Sequence, residues 1–471
     1  MVYGARGIAS IIAGVAGVLA VSVEQVGAQP LPLTFLPPVN VSNAEGASAA
    51  PAIVTDGDEN VFVAWEERPL ELLLFSRSQD DGATFTAPTP VVPGGQYLSF
   101  GQVHMASLGP NDVRTVFTAF DLLYGGAEIV YVGSIDAGDT FPDAQLISEI
   151  DNFNSYAPEI AAGWGLALAW SDVDVWTGHT AIRVRVSADG GQTFSTAKRV
   201  DTSFGYACCP SIALAGDDAI FVTWQEKIDP FVLGDEAYEV LFSRSLDGGA
   251  TFSAPVNLSD YPQPSSPAQI VTDEAGNVYV LWVEGDYLVD MKLFLVVSHD
   301  AGATFSEPLL LEGPTAEVHG SLAASGDGAI WATWIARDGI GNYDSRIARS
   351  LDAGESFSQP ASLPGDCGLD GSCRYAIASR AADESFIAES PAGASGDVLV
   401  RRGRVVVCGD ANGDGQIGAT DALVVLAAAV GSGSCEPARC DVDESGGVTA
   451  SDALAILRVA VGIPVVLSCP K

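Results

Sequence analysis

Ser245-Leu246-Asp247-Gly248-Gly249-Ala250-Thr251-Phe252 decides how this chain is read, because it is one of six copies of a single pattern. The pattern Ser-x-Asp-x-Gly-x-(Thr/Ser)-Phe begins at Ser78, Ser134, Ser187, Ser245, Ser298 and Ser350, at intervals of 52 to 58 residues. A fixed period of this size marks a repeat architecture. In each copy the Ser and Asp side chains can hydrogen-bond the local backbone, Gly permits a positive φ, and Phe is left to turn inward. That is the chemistry of a tight hairpin whose tip folds back onto its sheet.

Two short alternating segments precede each copy. In the first repeat they are Pro51-Ala52-Ile53-Val54-Thr55 and Asn60-Val61-Phe62-Val63-Ala64-Trp65, joined by the hairpin turn Asp56-Gly57-Asp58-Glu59. A third strand leads into the copy, as in Leu73-Leu74-Phe75-Ser76-Arg77, and a fourth follows it, as in Ala254-Pro255-Val256-Asn257-Leu258-Ser259. Four short antiparallel strands per unit, repeated radially, predict a propeller blade. Trp65, Trp170, Trp224, Trp282 and Trp334 end the second strand, with Phe120 read in the same place. They are expected to pack between blades rather than to form a sugar-stacking platform.

Counting first-and-second-strand pairs gives seven units. The seventh is Arg374-Tyr375-Ala376-Ile377-Ala378-Ser379 with Glu384-Ser385-Phe386-Ile387-Ala388 and then Asp397-Val398-Leu399-Val400-Arg401, and no further copy of the pattern follows it. Near the start, Pro37-Pro38-Val39-Asn40-Val41-Ser42 matches the fourth-strand segment of the fourth repeat. An N-terminal strand completing the last blade would close the ring and leave no sheet edge exposed. The expected fold is therefore mainly β: a seven-bladed propeller over residues 29–404, with six blades as the alternative, and a small α-helical domain over 405–471.

The six copies resemble the Asp-box of sialidase-like β-propellers. The resemblance implies a structural role for Asp80, Asp136, Asp189, Asp247, Asp300 and Asp352. Sialidases have six blades, an early Arg-Ile-Pro signature, three arginines around the substrate carboxylate, a Tyr nucleophile with its Glu, and an Asp acid/base. This chain lacks the signature; Arg68-Pro69 follows a second strand instead. Arg77, Arg244 and Arg349 each precede an Asp-box serine and read as blade positions. Arg68, Arg337, Arg374 with Tyr375, Glu226 and Asp172 are left as candidates for the propeller mouth, and solvated loop charges are the simpler reading. His104, His179, His299 and His319 fall at unrelated repeat positions. No catalytic residue is assigned.

After Val407 the pattern changes. Asp410-Ala411-Asn412-Gly413-Asp414-Gly415-Gln416-Ile417-Gly418-Ala419-Thr420-Asp421 places oxygen side chains at loop positions 1, 3, 5 and 12, with Gly at 6 and an apolar residue at 8. Asp441-Val442-Asp443-Glu444-Ser445-Gly446-Gly447-Val448-Thr449-Ala450-Ser451-Asp452 repeats it 31 residues later. This spacing lets one loop surround Ca²⁺, a hard cation that takes six to eight oxygens, one of them the position-7 carbonyl. The expected ligands are Asp410, Asn412, Asp414, Gln416 and Asp421 for one ion, and Asp441, Asp443, Ser445, Gly447 and Asp452 for a second. Each loop runs into an apolar helix that ends in Ala-Val-Gly. The tandem arrangement, with Asp at position 12, resembles a type I dockerin. The resemblance implies a cohesin-like partner that reads loop positions 10 and 11 and the following helix; a small hydroxyl residue is kept here only at position 11, Thr420 and Ser451, and Arg458 is the charge on the helices. Small residues, Ala419 and Ala450, stand at position 10.

Composition sets the compartment. Residues 1–28 read as a secretory signal: Arg6, an apolar stretch over 8–23, and Val26-Gly27-Ala28 before the cleavage point. No other segment is long and apolar enough to cross a membrane. Sixty acidic against 22 basic residues give a net charge of −38, which repels phosphate backbones and argues against nucleic-acid binding. Eight cysteines in an exported chain are expected to pair. Cys367 and Cys373 bracket a short loop, Cys208 and Cys209 are adjacent, and Cys408, Cys435, Cys440 and Cys469 allow three pairings. The functional expectation is a secreted binding propeller, for a glycan or protein ligand, joined to a calcium-dependent attachment module. A sialidase-type glycoside hydrolase, or another extracellular polysaccharide-degrading enzyme, is the alternative.

Overall fold

The computed structural model describes residues 33–43, 47–93, 97–121, 126–150, 154–173, 179–202, 206–227, 238–259, 263–286, 289–315, 317–337, 342–364, 374–390, 396–412 and 417–469. The expected signal peptide, the Cys367–Cys373 loop, Asp414 and Gln416 lie outside the described residues.

The chain folds into a seven-bladed β-propeller, followed among the described residues by three short helices. Blade 1 consists of Ser48–Thr55, Val61–Glu67, Leu72–Ser78 and Thr89–Pro90, running from the axis outward. Blades 2 to 6 repeat that order. The innermost strands of successive blades pack against one another, and that of blade 7, Arg374–Ala381, packs back onto that of blade 1.

Each Asp-box is a tip held by its own Ser and Asp side chains. In the fourth, the Ser245 hydroxyl donates to Asp247 (2.7 Å) and accepts from the Gly249 N–H (2.9 Å). The same carboxylate accepts from the Thr251 N–H (2.8 Å) and hydroxyl (2.6 Å). These bonds hold Asp136, Asp189, Asp247 and Asp300 down to about 2; the neighbouring hydroxyl is the largest cause in each. The box glycine is needed where the tip meets the blade before it. At Gly138, with φ +82°, a Cβ would lie 2.2 Å from the Phe75 ring. The box phenylalanine packs at the same contact: Phe141 lies edge-on to Phe75 (5.2 Å), Phe194 to Tyr131 (5.0 Å) and Phe305 to Phe242 (4.9 Å).

The arginines that precede box serines are latches between blades. Arg77 donates to the Ala137 carbonyl (2.7 Å) and to Asp139 (2.7 Å) in the next box, and Arg244 donates to the carbonyl of Ala301 (2.5 Å). Arg349 donates to the Ala382 carbonyl in blade 7, which has no box to offer.

The tryptophans are core. Trp65, Trp170, Trp224, Trp282 and Trp334 are each at most 2% exposed and pack against the preceding blade. Blade 2 corrects the aromatic register. Val113 pairs with the box serine Ser134 as Val61 pairs with Ser78, so the counterpart of Trp65 is Phe117, not Phe120. Phe117 is fully buried, whereas Phe120, three residues further along the same strand, is only partly so.

Blade 7 is closed by the N-terminal segment. Its third strand, Leu399–Val405, pairs antiparallel with both Leu33–Phe35 and Val39–Asn40. Of the expected strand over 37–42, Val39–Asn40 is strand, and Leu33–Phe35 adds a second stretch of pairing. Asn40 and Ser42 anchor the segment by donating to the Asp397 carboxylate at 2.8 and 3.1 Å.

Helices α1 (Ala419–Ala429), α2 (Pro437–Cys440) and α3 (Ala450–Ala460) form the C-terminal module. Ala422, Val425, Cys440, Val442, Ala453 and Ile456 make its small core. Gly431 and Gly462, at φ +73° and +79°, end α1 and α3. In both, the residue after the glycine returns an N–H bond to the carbonyl five positions back, satisfying the last turn.

Candidate functional site

The innermost strands enclose a cavity of about 820 Å³ at the propeller axis. Each contributes one residue to an apolar ring: Ile53, Met105, Ile160, Ile212, Ile270, Leu322 and Ile377. The residue before each gives a second, more polar ring: Ala52, His104, Glu159, Ser211, Gln269, Ser321 and Ala376. In blades 1 to 4 that residue follows a bulge whose αL position is Ala50, Gln102, Ala157 or Cys209. The bulge therefore sets a common register, and adjacent blades bring His104 and Glu159 together at 3.1 Å. Burial opposes charge on His104, but Glu159 outweighs it and holds the imidazole pKa above its usual value. Glu66 also lines the cavity and is raised by burial, with Arg68 at 3.5 Å and the Gln102 N–H at 3.2 Å working the other way.

Of the sequence candidates for the mouth, Arg68 and Tyr375 line the cavity, and among the described side chains Arg337, Glu226 and Asp172 do not. Arg68 reaches the cavity, with its side chain largely exposed. The Arg337 guanidinium lies over the Tyr343 ring at 5.6 Å. The Arg374 side chain lies outside the described residues. Tyr375 lines the cavity, but its hydroxyl bonds the Ser345 hydroxyl at 2.9 Å, and burial pushes its pKa up to about 12. Glu226 accepts the Trp224 indole N–H at 2.7 Å, and Asp172 is taken by Ser155 (2.7 Å) and Arg183 (3.1 Å). Glu67, Glu284 and Glu312 likewise accept indole N–H groups, so these carboxylates cap blade tryptophans. His299 accepts or donates at Asn277, and His179 sits against the Tyr206 ring. The side chain of His319 lies outside the described residues.

The second 12-residue loop is laid out for a hard cation. Carboxylate oxygens of Asp441, Asp443 and Asp452 all lie within 4.8 Å of one another. Oxygens on opposite sides of a bound Ca²⁺ are about 4.6–5.2 Å apart, twice the usual Ca–O distance. Asp441 and Asp452 are buried, and none of the three carboxylates meets a cationic side chain among the described residues. Buried like charges without a counter-ion are costly, so the donor set fits a cation. The loop is shaped by its own amides. Asp441 accepts from the Ser445 (2.9 Å) and Gly446 (2.8 Å) N–H groups, and Asp452 from those of Val442 and Thr449 (both 2.8 Å). The Ser445 hydroxyl donates to the Gly447 carbonyl at 3.3 Å. In the first loop, Asp421 accepts from the Asn412 (3.0 Å) and Gly418 (2.7 Å) N–H groups, and Asp410 is buried.

Residues 408–458 match the Dockerin type I domain family. The C-terminal module is a dockerin. Type I dockerins bind calcium, and the aspartate cluster lies within the dockerin. At the level of whole sequence, no curated protein matches the chain. Among solved structures, an ulvan lyase bound to -[GlcA(1-4)Rha3S]- is similar at 11% identity and TM-score 0.52, over 79% of this chain and 94% of that one. A Hadza microbial sialidase is similar at 13% identity and TM-score 0.44, over 73% and 76%. An α-L-arabinanase of Penicillium chrysogenum is similar at 15% identity and TM-score 0.43, over 78% and 98%. The likeness to the ulvan lyase is one of propeller fold alone.

The dockerin carries an apolar outer face that the sequence reading missed. Leu423, Leu426 and Val430 on and after α1 are exposed, and so are Leu454, Leu457 and Val461, each 31 residues further on, at α3. The 31-residue loop repeat already held this signal. Thr420, Ser451 and Arg458 are exposed on the same two helices. Cys408 pairs with Cys469 and Cys435 with Cys440, which selects one of the three possible pairings. Cys208 and Cys209 form a vicinal disulfide at the blade 4 bulge.

Proposed function

We propose that this chain is a secreted binding protein whose dockerin, loaded with two Ca²⁺ ions, attaches the propeller to a cohesin-like partner. The observation that carries this reading is the repeated loop–helix unit, with its aspartate cluster and its matched exposed pairs Leu423/Leu454, Leu426/Leu457 and Val430/Val461. Two equivalent apolar helix faces give a partner surface, with Thr420, Ser451 and Arg458 at its polar edge. In the first loop the ligands are Asp410, Asn412, Asp414, Gln416 and Asp421; in the second they are Asp441, Asp443, Ser445, Gly447 and Asp452. Calcium neutralises these carboxylates and couples loop order to helix formation. The propeller cavity, with polar groups above an apolar ring, is the proposed site for a glycan, consistent with the polysaccharide named for the ulvan lyase neighbour.

The test is titration of the full chain against a panel of cohesins in calcium and in EDTA, with Leu454→Asp and Leu423→Asp together as the control. Binding lost in EDTA and in the double variant is expected; no binding to any cohesin counts against a cohesin-type partner. A polysaccharide-cleaving role is the second reading, favoured by the His104–Glu159 pair beside Glu66 in the cavity. Assays on fluorogenic sialosides and on uronic-acid polysaccharides separate the two. Turnover abolished by His104→Ala or Glu159→Gln would replace binding with catalysis.

A further inference from the structure

The dockerin does not hang from the propeller on a tether. Blade 7 ends at Val405 and the first calcium loop begins at Asp410, leaving only residues 406–409 between them. Val407 packs with the blade 7 cluster, and Cys408, the next residue, already belongs to the dockerin core.

One side chain fills the junction. Arg439, on α2, is 4% exposed. Its guanidinium donates to the Asp383 carboxylate and to the Val405 carbonyl (2.8 Å), both in blade 7. The same guanidinium donates to the Asp410 carbonyl at 3.4 Å, and the Arg439 carbonyl accepts the Gly409 N–H at 2.8 Å. Asp383 is itself tied to the strand, because its carbonyl accepts the Val405 N–H at 2.8 Å. The Cys435–Cys440 bridge braces the segment that bears Arg439, and Arg404 of blade 7 pairs with Glu436 at 3.5 Å. A charge buried this deeply is tolerated only while its partners stay in place, and removing one leaves the other uncompensated.

We propose that Arg439 welds the first calcium loop to blade 7, so that calcium binding at that loop and the stability of the propeller are thermodynamically linked. This rests on the two-ion reading above and adds to it a role for a residue that is not a ligand. Arg439 fixes loop position 1 from behind: it holds the backbone at Gly409 and Asp410 while its other contacts lie in the propeller. An ion that draws the Asp410 carboxylate into place therefore orders the frame that holds Arg439 against Asp383. Coupling of this kind is reciprocal, so the intact blade must raise affinity at the first loop by the same factor. Arg439 is a positioning residue in this scheme.

The chain supplies its own reporter. All eight tryptophans lie between positions 65 and 334, so their fluorescence follows the propeller and not the dockerin. In the full-length protein, chelation with EDTA is expected to lower the tryptophan-monitored unfolding midpoint by several degrees relative to saturating calcium. Calcium calorimetry on Asp383→Asn, which leaves every proposed ligand in place, is expected to weaken one of two binding events roughly 5- to 20-fold and spare the other. Arg439→Met is the companion variant; the calcium-dependent shift of the tryptophan midpoint should collapse in both. Calcium binding by the wild type with no shift of that midpoint overturns the linkage and leaves the two-ion reading standing. A variant that loses the same stability in calcium and in EDTA shows Arg439 to be a plain structural tie and overturns it as well. A wild type that takes up no calcium overturns both readings.

Discussion

Blades 1 to 6 and blade 7 solve the same problem with different means. Each of the first six carries, between its third and fourth strands, an Asp-box whose Ser and Asp side-chain bonds lie within eight residues, and several of them pass an arginine or a phenylalanine contact to a neighbouring blade. Blade 7 has no box. Glu389 stands at its tryptophan position and is paired with Arg401, and its outer edge comes from the other end of the chain. At the seam with blade 1, Arg380 and Arg402 share the buried Glu384 and reach Asp81 at 2.6 and 3.2 Å. Local hydrogen bonds therefore build the repeats, and long-range strand pairing and buried ion pairs close them into a ring.

The largest way to break that contrast is to remove the closing strand. Deleting residues 29–44 takes away both N-terminal strands and the Asn40 and Ser42 bonds to Asp397. An open sheet edge results, and a loss of several kcal/mol is expected, roughly 10 °C or more in Tm. A truncated protein that melts with the parent would show that the ring does not depend on this strand.

The seam is the next target. Glu384→Gln leaves Arg380 and Arg402 short of a buried partner and is expected to cost about 3–5 kcal/mol. Arg244→Ala removes hydrogen bonds to the Asp300 and Ala301 carbonyls between two ordinary blades, and about 1 kcal/mol is expected. Chemical denaturation of the two variants side by side checks the ratio. Equal losses would erase the distinction between the seam and the other blade boundaries.

The same division explains what could be read from the sequence. Hairpin tips and helix ends are local, so the box spacing and the 31-residue repeat were enough to place them. The closing strand was legible because Val39-Asn40 copies the fourth-strand pattern of Val256-Asn257. Register was less so. Phe120 was placed by its position near the end of a strand, whereas strand pairing with Ser134 puts Phe117 in the tryptophan site. The His104–Glu159 pair was invisible because it depends on a bulge in each of two blades that turns the residue two places beyond it to the axis. Arg439 was missed for a related reason: its partners Asp383 and Asp410 are 56 and 29 residues away and meet only after the ring has closed.

Tryptophan capping offers a smaller test, now within the six ordinary blades. Glu284 accepts the Trp282 indole N–H and is pushed up to about 7, chiefly by burial, with Glu239 adding to the rise. Its folded pKa lies above the unfolded value of 4.5, so the folded state holds more protons between those limits. Stability from this group is thus fully present below about 4.5 and is lost as pH rises toward 7. Glu284→Gln keeps an acceptor for the indole and removes the buried charge. It is expected to gain about 1–3 kcal/mol above pH 7 and nothing at pH 4. Denaturation curves at the two pH values check it; a variant that is less stable at both would show that the carboxylate is needed in its charged form.

The smallest effect expected is the removal of one box aspartate, and its sign is opposite to that of Glu284. Asp247 is held down to about 2, first by the Thr251 hydroxyl, so its folded pKa lies below the unfolded value of 3.8. Its contribution is fully present above about pH 4 and is lost as pH falls toward 2, because the unfolded chain takes up the proton first. Asp136, Asp189 and Asp300 share that window, and blade 7 has no box aspartate to add to it. The slope of unfolding free energy against pH between 4 and 2 counts the protons involved. Asp247→Asn should lower that slope by up to one proton while leaving the pH 7 fold intact. The equivalent change at Asp397, the blade 7 anchor for Asn40 and Ser42, should instead lower stability at pH 7 through the closing strand. An unchanged acid slope in Asp247→Asn would mean that the box carboxylates are not what holds the tips together in acid, and the contrast between boxed and unboxed blades would then rest on packing alone.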